Sequence, residues 1–303
     1  MYNTAMNIKS FELLVKTENA AKRFVLGFCF KNKQRFCPYC RSRKHWKLAD
    51  GRRRCQRCKM TYHDFTRRWW NKVKLPMDDW LRIVKLFELE LSARKIATQL
   101  ELPYRSVWKA VMVIRYAIFC HADDVNENLM SAEIELDETY FGKRRKGNQR
   151  EAVGKVPVFG IQTHEGKVRV ELVPNVQAKA LLGNSIKKVH HGNIAYTDKY
   201  NEYDSLMFCG YRHLKADHSS KFFGGKVYID SLDGFWTWAK ERLFKHHGIS
   251  PNHFPLYLKE LEFRYNHRDE LFFNQLVAFL SDFIPELPDE VNPSLNSTSQ
   301  GEI

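Results

Sequence analysis

Glu133-Ile134-Glu135-Leu136-Asp137-Glu138-Thr139-Tyr140-Phe141-Gly142 is the stretch whose reading decides the fold. Ile134 and Leu136, with Tyr140 and Phe141 beyond them, supply the apolar side of a strand, and Asp137 stands in its second half. A carboxylate on a half-buried strand is costly unless something pairs with it. Taken alone, the stretch leaves two readings open. Asp137 is an exposed edge charge, or it is the first of several carboxylates that converge on metal ions.

The chain downstream gives that strand its company. Val156 to Thr163 reads as a second strand, His164-Glu165-Gly166-Lys167 as a hairpin turn, and Val168 to Val173 as the alternating partner. Residues 178–190 read as a helix, Asn193 to Thr197 as a fourth strand, 201–207 as a short helix and 211–214 as a short strand. Helices are expected over 231–247, carrying Phe235, Trp236 and Leu243, and over 253–281. The order strand–strand–strand–helix–strand–helix–strand–helix is that of an α/β domain of the RNase H-like kind, a mixed sheet flanked by helices. Asp198 ends the fourth strand, which neighbours the first in such a sheet, so Asp137 and Asp198 could hold the same ions. A third carboxylate is offered by Tyr228-Ile229-Asp230-Ser231-Leu232-Asp233-Gly234-Phe235-Trp236. Asp230 and Asp233 lie three apart on one helix face, and Lys240 returns to a similar face two turns on.

The upstream part is of a different character. The chain of 303 residues carries a formal charge of +14 and a pI near 9.4. Residues 31–74 hold sixteen Lys/Arg against two Asp/Glu, so this block accounts for the whole excess. With Trp46, Tyr62, Trp69 and Trp70 interleaved, it suits a polyanion, nucleic acid above all. Apolar runs such as Val111-Met112-Val113-Ile114 are broken by charge well short of the roughly 18 residues a membrane span needs. Glu12 and Lys16 interrupt the first apolar pattern, which lacks a signal-peptide core, so a cytoplasmic protein is expected. Seven cysteines, an odd number, argue against a disulfide framework.

Cys37-Pro38-Tyr39-Cys40 and Cys55-Gln56-Arg57-Cys58 are separated by fourteen residues. Each knuckle puts two thiolates on a tight turn, and two such turns close a tetrahedral cage for one structural Zn²⁺. Basic residues stud this ribbon, and Arg52, Arg53 and Arg54 are candidates for phosphate contacts. Ser92 to Leu100, a break at Glu101-Leu102-Pro103, and Tyr104 to Val111 form a helix-turn-helix pattern. Ile96, Ala97, Leu100, Val107 and Val111 would pack the pair, leaving Arg105, Ser106 and Lys109 on the outer face. Of the apolar residues of 1–34, Phe11, Leu13, Leu14 and Val15, then Ala21, Phe24 and Val25, could face a partner surface. The expected organisation is a helical segment over 1–34, a zinc ribbon over 35–74, a helix-turn-helix over 75–120 and a linker over 121–132. The catalytic domain follows over 133–284, with a disordered tail over 285–303.

The sequence resembles the DDE transposases of bacterial insertion sequences, in particular the ISXO-like subgroup with a zinc ribbon. The resemblance rests on the two CxxC knuckles, Leu136 to Gly142, Gly154 to Gly160, Tyr196-Thr197-Asp198, His218-Ser219-Ser220-Lys221, Gly234-Phe235-Trp236 with Lys240, and Glu262 to Arg268. It implies an RNase H-like domain with two Mg²⁺ (or Mn²⁺) ions, cleavage of double-stranded DNA at transposon ends, and joining of the 3′-OH to target DNA. Paired ends imply at least a homodimer in the active complex. The family's first two aspartates fall on Asp137 and Asp198, its third acidic position on Asp233, and its basic partner on Lys240. The third position departs from the pattern, because the family carries Glu there, or uses the Asn three residues earlier. Asp is one methylene shorter. Either Asp230 completes the site, or the helix sits closer to the sheet, or this copy is weakened. Two rival readings remain: a DNA-binding regulator with a decayed catalytic domain, and another nuclease of the RNase H-like kind.

Overall fold

The structure, a computed structural model, describes residues 6–30, 34–125, 133–141, 156–163, 166–172, 194–197, 212–215, 231–246 and 249–285. The chain divides into two compact units, residues 1–121 together with 269–303, and residues 122–268.

The first unit is closed by the end of the chain. Helices α1 (Ile8–Leu14) and α2 (Glu18–Cys29) begin on Asn7 and Thr17, whose side chains accept from the N–H of Ser10 and Ala20. Their apolar stripe buries Phe11, Val15, Ala21 and Val25. Leu13 of the same pattern is 74% exposed, and the surface that the buried residues meet belongs to the same chain. Phe273 packs edge-on to Phe11 with ring centroids 5.5 Å apart and is stacked on Phe24 at 6.3 Å. Helix α3 (Met77–Glu88) buries Trp80, Ile83, Val84 and Phe87, the face its spacing predicts. Lys85 and Glu88 form a buried ion pair on it at 2.5 Å, and the other Glu88 oxygen accepts from the N–H of Phe273 at 2.7 Å.

A second seam ties the chain end to the ribbon. Trp69 and Trp70 are core residues rather than part of a charged face, and the Trp70 indole donates to Ser281 Oγ at 3.0 Å. Buried Arg68 donates to the carbonyls of Cys29 and Ser281 and lies against the rings of Phe30 and Phe283. The helical expectation over 253–281 therefore resolves into two helices, the second of which (Phe273–Ser281) packs with the N-terminal segments. The boundary expected at residue 284 differs from the observed division after Arg268.

Helices α4 (Ala93–Leu100) and α5 (Tyr104–Val125) stand where a helix, a turn and a second helix were expected, and α5, at 22 residues, runs well past the expected Val111. Ser92 caps α4, and Glu101 turns the chain through a left-handed conformation at φ 53°. Ile96, Ala97, Val107 and Val111 are buried. Helix α5 runs into the expected linker as far as Val125, and residues 126–132 lie outside the described residues.

The second unit holds a sheet of β4 (Glu133–Phe141), β5 (Val156–Thr163), β6 (Val168–Leu172), β7 (Ile194–Thr197) and β8 (Arg212–Lys215). Their spatial order is β6-β5-β4-β7-β8. The first three strands are mutually antiparallel, and β7 and β8 run parallel to β4. The first and fourth strands of the domain are neighbours at the centre, which is the RNase H-like arrangement. Helix α6 (Ser231–Phe244) covers β4 and β5, and α7 (Phe254–Asn266) covers β6. Leu232, Phe235, Trp236 and Ala239 of α6 pack with Phe141, Val158, Val168 and Val170 into one core. The expected helices over 178–190 and 201–207 and the tail beyond 285 lie outside the described residues.

The polar cluster near the end of α7 has a structural task. Asn266 donates to the carbonyl of Val168 and accepts from its N–H, each at 2.7 Å, and Glu262 accepts from the N–H of Val170 at 2.8 Å. These side chains satisfy the outer edge of β6, which would otherwise present unpaired backbone groups. Among the described residues no helix is long and apolar enough to cross a membrane.

Candidate active site and metal centre

Strand β4 and helix α6 meet residue by residue. Two residues along a strand advance about 6.6 Å and four along a helix about 6 Å, so i, i+2 positions of one can match i, i+4 positions of the other. The match occurs here. Trp236 Nε1 donates to Asp137 Oδ2 at 2.8 Å, and Lys240 Nζ donates to Thr139 Oγ1 at 2.9 Å. Phe141, two residues further, packs edge-on to Trp236 at 6.0 Å and lies 5.9 Å from Lys240 Nζ. Helix α6 therefore runs in the same sense as β4, with Trp236 over Asp137 and Lys240 over Thr139. Asp233 stands one turn before Trp236, solvent-exposed near the start of the helix.

The close approach of α6 depends on Gly160. This residue is the antiparallel partner of Asp137 on β5. A Cβ at this position would lie 2.6 Å from Leu232 Cδ2 and 2.6 Å from Trp236 Cζ2. Only a residue without a side chain lets the indole rest on the strand at this level.

Of the expected carboxylates, Asp137 is half-buried on the central strand and Asp233 is exposed on α6, both in described positions. Asp198 and Asp230 lie outside the described residues. Strand β7 is paired with β4 up to Leu136↔Thr197, and Asp137 and Asp198 are the next residues of these two chains. Asp137 and Asp233 offer hard oxygen donors of the kind Mg²⁺ or Mn²⁺ takes. Three residues of this contact, Trp236 as a donor, Thr139 and Gly160, escape a reading of the sequence. The one available signal was the shared spacing of Asp137-Thr139-Phe141 and Trp236-Lys240.

The metal centre of the first unit is complete. Strands β1 (His45–Lys47), β2 (Arg53–Cys55) and β3 (Thr61–Tyr62) form an antiparallel ribbon. Both knuckles have the same backbone design. Cys37 N–H donates to Ser42 O and Arg41 N–H returns to Cys37 O; Cys55 N–H donates to Met60 O and Lys59 N–H returns to Cys55 O. Arg41 and Lys59, each following a knuckle, take the left-handed conformation at φ 60° and 61°. The ligand atoms of Cys37, Cys40, Cys55 and Cys58 lie within 4.8 Å of one another, with sulfur–sulfur distances of 3.6 Å (Cys37–Cys58) and 3.5 Å (Cys40–Cys55). Tetrahedral zinc with Zn–S bonds near 2.3 Å needs about 3.8 Å between sulfurs, so the cage fits that ion. The crowding splits the thiols. Burial pushes Cys55 up, but donation from the backbone of Cys58, from Cys40 and from the backbone of Arg57 outweighs it and holds the group at about 6. At Cys58, donation from the Met60 backbone is outweighed by burial and by the three other sulfurs, and the thiol is pushed up to about 12. Among the described residues these cysteines are the one group of three or more His, Cys, Asp or Glu placed to hold an ion.

The basic side chains of the ribbon divide into two kinds. Asp64 receives Arg35 and Arg53, each at 3.0 Å, and Arg53 also meets His45 Nε2 at 3.1 Å. Arg53 thus faces inward with buried Tyr62. Arg52 is exposed but paired with Asp50 at 2.6 Å. Arg54 is exposed on the opposite face, across the strands from exposed Trp46 and Thr61. Lys59 Nζ lies 5.0 Å above the Trp46 ring on that face. Of Trp46, Tyr62, Trp69 and Trp70, only Trp46 is exposed, at 49%; Tyr39 of the first knuckle is exposed as well. On α5, Arg105 is exposed and Lys109 half-buried.

Residues 129–266 match the ISXO2-like transposase domain, and residues 16–61 match the transposase zinc-ribbon domain. The chain is 41% identical over 103 residues to an uncharacterized transposase-like protein of Haemophilus influenzae, an alignment covering 34% of this chain and 84% of that one. Similar solved structures include the Mos1 strand transfer complex (12% identity, TM-score 0.23, 67% of this chain and 78% of that chain). The Mos1 paired-end complex with the left transposon end is another (13% identity, TM-score 0.23, 66% and 78%). A zinc ribbon with its four cysteines in place, followed by the matched domain with Asp137 on the central strand of its sheet, places the chain in the family of ISXO2-like transposases.

Proposed function

We propose that the chain binds the ends of an insertion sequence, cleaves the DNA there, and joins the released 3′-OH to target DNA. The observation that carries this reading is the central pair of strands. Leu136, the residue before Asp137 on β4, is paired with Thr197 of β7, and the helix that carries Asp233 lies over the same strand. Asp137, Asp198 and Asp233, with Asp230 as an alternative third group, hold the divalent cations. Mg²⁺ or Mn²⁺ ions bound there supply Lewis acidity to the scissile phosphate and lower the pKa of the attacking hydroxyl.

The residues of the chain do the rest. Asp137 acts on the phosphate only through the cations it holds, since a carboxylate and a phosphate repel each other. In cleavage, a water oxygen forms the new P–O bond and the 3′-oxygen leaves as 3′-OH. In joining, that 3′-OH attacks a target phosphate and displaces another 3′-oxygen. No side chain is consumed. Lys240, held over β4 by Thr139, contacts a phosphate beside the reacting one. The ribbon and the α4–α5 pair, a helix-turn-helix, hold the end DNA through Arg52, Arg54, Arg105 and Lys109. Pairing two ends requires at least a dimer, acting on DNA in the cytoplasm.

The test is Asp137→Asn. Strand transfer on DNA carrying the flanking repeats is expected to vanish, with end binding in a mobility-shift assay preserved. Full strand transfer by this variant would refute the reading. Mg²⁺- or Mn²⁺-dependent nicking by the native chain separates it from a regulator with an inert catalytic domain.

A further inference from the structure

We propose that Trp236 is a positioning residue for Asp137: its indole N–H fixes the carboxylate in the orientation in which it holds a divalent cation. The inference rests on the reading of Asp137 as a metal-holding group and deepens it.

Four observations carry it. The indole is 2% exposed, so its N–H needs a partner within the protein, and the partner it has is Asp137 Oδ2 at 2.8 Å. The ring cannot swing away. Phe141 meets it edge-on at 6.0 Å, and Phe235 packs on it at 4.9 Å. The approach is built into the backbone, because Gly160 opposite Asp137 leaves the space that the indole fills. Lys240, one turn on, anchors the same helix to the same strand through Thr139. A buried, ring-locked donor on a carboxylate is the arrangement by which outer groups set the orientation and basicity of metal ligands. Removing such a partner typically weakens metal affinity about 10- to 100-fold.

A tryptophan wedged in the core for packing alone makes a different prediction. Trp236→Phe keeps the ring and its contacts and removes the donor. The full-length, zinc-loaded protein is titrated with Mn²⁺, and free Mn²⁺ is followed by electron paramagnetic resonance. Trp236→Phe is expected to raise the Mn²⁺ dissociation constant at least about 10-fold. Asp137→Asn is expected to raise it too, and adding Trp236→Phe in that background to change nothing more, because the two act as a unit. An unchanged Mn²⁺ constant in Trp236→Phe, with Asp137→Asn weakened, overturns the inference and leaves the metal-site reading standing. An unchanged constant in Asp137→Asn overturns both. A second measurement serves if Trp236→Phe does not fold. With ¹⁵N-labelled indoles, one of the seven tryptophan N–H resonances is expected to move between the native protein and Asp137→Asn without any metal added. Seven unmoved resonances overturn the proposal.

Discussion

Gly160 stands directly opposite Asp137 across the β4–β5 pair, and a methyl group on it would fall 2.6 Å from both Leu232 and Trp236. Both contacts are to side chains of α6, so the helix must lift or its residues must change rotamer. Overpacking of this kind costs about 1–3 kcal/mol. Gly160→Ala is therefore expected to lower the urea midpoint of the catalytic unit and to depress strand transfer further than the lost stability explains. A variant with native strand transfer would show that the close approach of α6 is not required.

The ribbon gives a prediction that separates structural from DNA-facing arginines. Arg53 is tied to Asp64 and His45 on the inner face, whereas Arg54 is exposed beside Trp46. Arg53→Ala is expected to destabilise the ribbon by about 1–3 kcal/mol, since it leaves part of Asp64 unsatisfied. Arg54→Ala is expected to leave folding intact and to weaken DNA binding, lowering the log–log salt slope by about 1. Mobility shifts at several salt concentrations, with thermal unfolding alongside, decide it. Replacing Cys37 and Cys40 together by Ser is expected to release zinc and weaken DNA binding. Zinc content unchanged by both substitutions would refute the cage.

How far the sequence could be read follows from where its information is local. The two knuckles are legible because four thiols at fixed spacing have few other uses. The strands are legible because period-2 runs stand out over Val156–Thr163 and Val168–Leu172, and helix α6 because a 3.6-residue pattern runs through Ser231–Phe244. Asp137 could be singled out because a carboxylate on a half-buried strand needs a reason. What could not be read depends on the third dimension. Nothing local says that Trp236 would reach Asp137 rather than only fill the core, or that Arg53 turns inward while Arg54 turns outward. The placement of Phe273 against Phe11 joins residues at opposite ends of the chain, and periodicity carries no sign of that.

That end-to-end packing makes the C-terminal segment part of the first unit. Residues 269–303 contain no Lys or Arg and seven Asp or Glu. By charge alone, deleting them would strengthen binding to DNA. The packing predicts the opposite. Without Phe273, Leu276, Val277 and Leu280, the stripe of α1 and α2 and the Lys85–Glu88 pair lose their cover. Truncation after Arg268 is expected to abolish cooperative unfolding of the N-terminal unit and end binding with it. Phe273→Ala, the milder version, is expected to cost about 3–5 kcal/mol, read by urea denaturation. Tighter DNA binding by the truncated chain would refute the structural role.

Position 233 carries Asp, one methylene shorter than Glu, near the start of α6. If the copy were weakened by a missing methylene, Asp233→Glu would restore the reach and raise strand transfer. If α6 instead sits close enough for Asp to serve, lengthening the side chain would push its oxygens past the productive position, and a small hard cation tolerates little geometric error. Gly160 and the Trp236–Asp137 bond favour the second case, because they hold α6 tightly on the strand that carries Asp137. Asp233→Glu is therefore expected to lower strand transfer about 10-fold or more, and Asp233→Asn to abolish it. If Gly160→Ala lifts the helix rather than shifting rotamers, the longer Glu is expected in that background to lose less relative to Asp than it does in the native background. A gain of activity in the single variant Asp233→Glu would instead mark this chain as a transposase impaired at its third carboxylate.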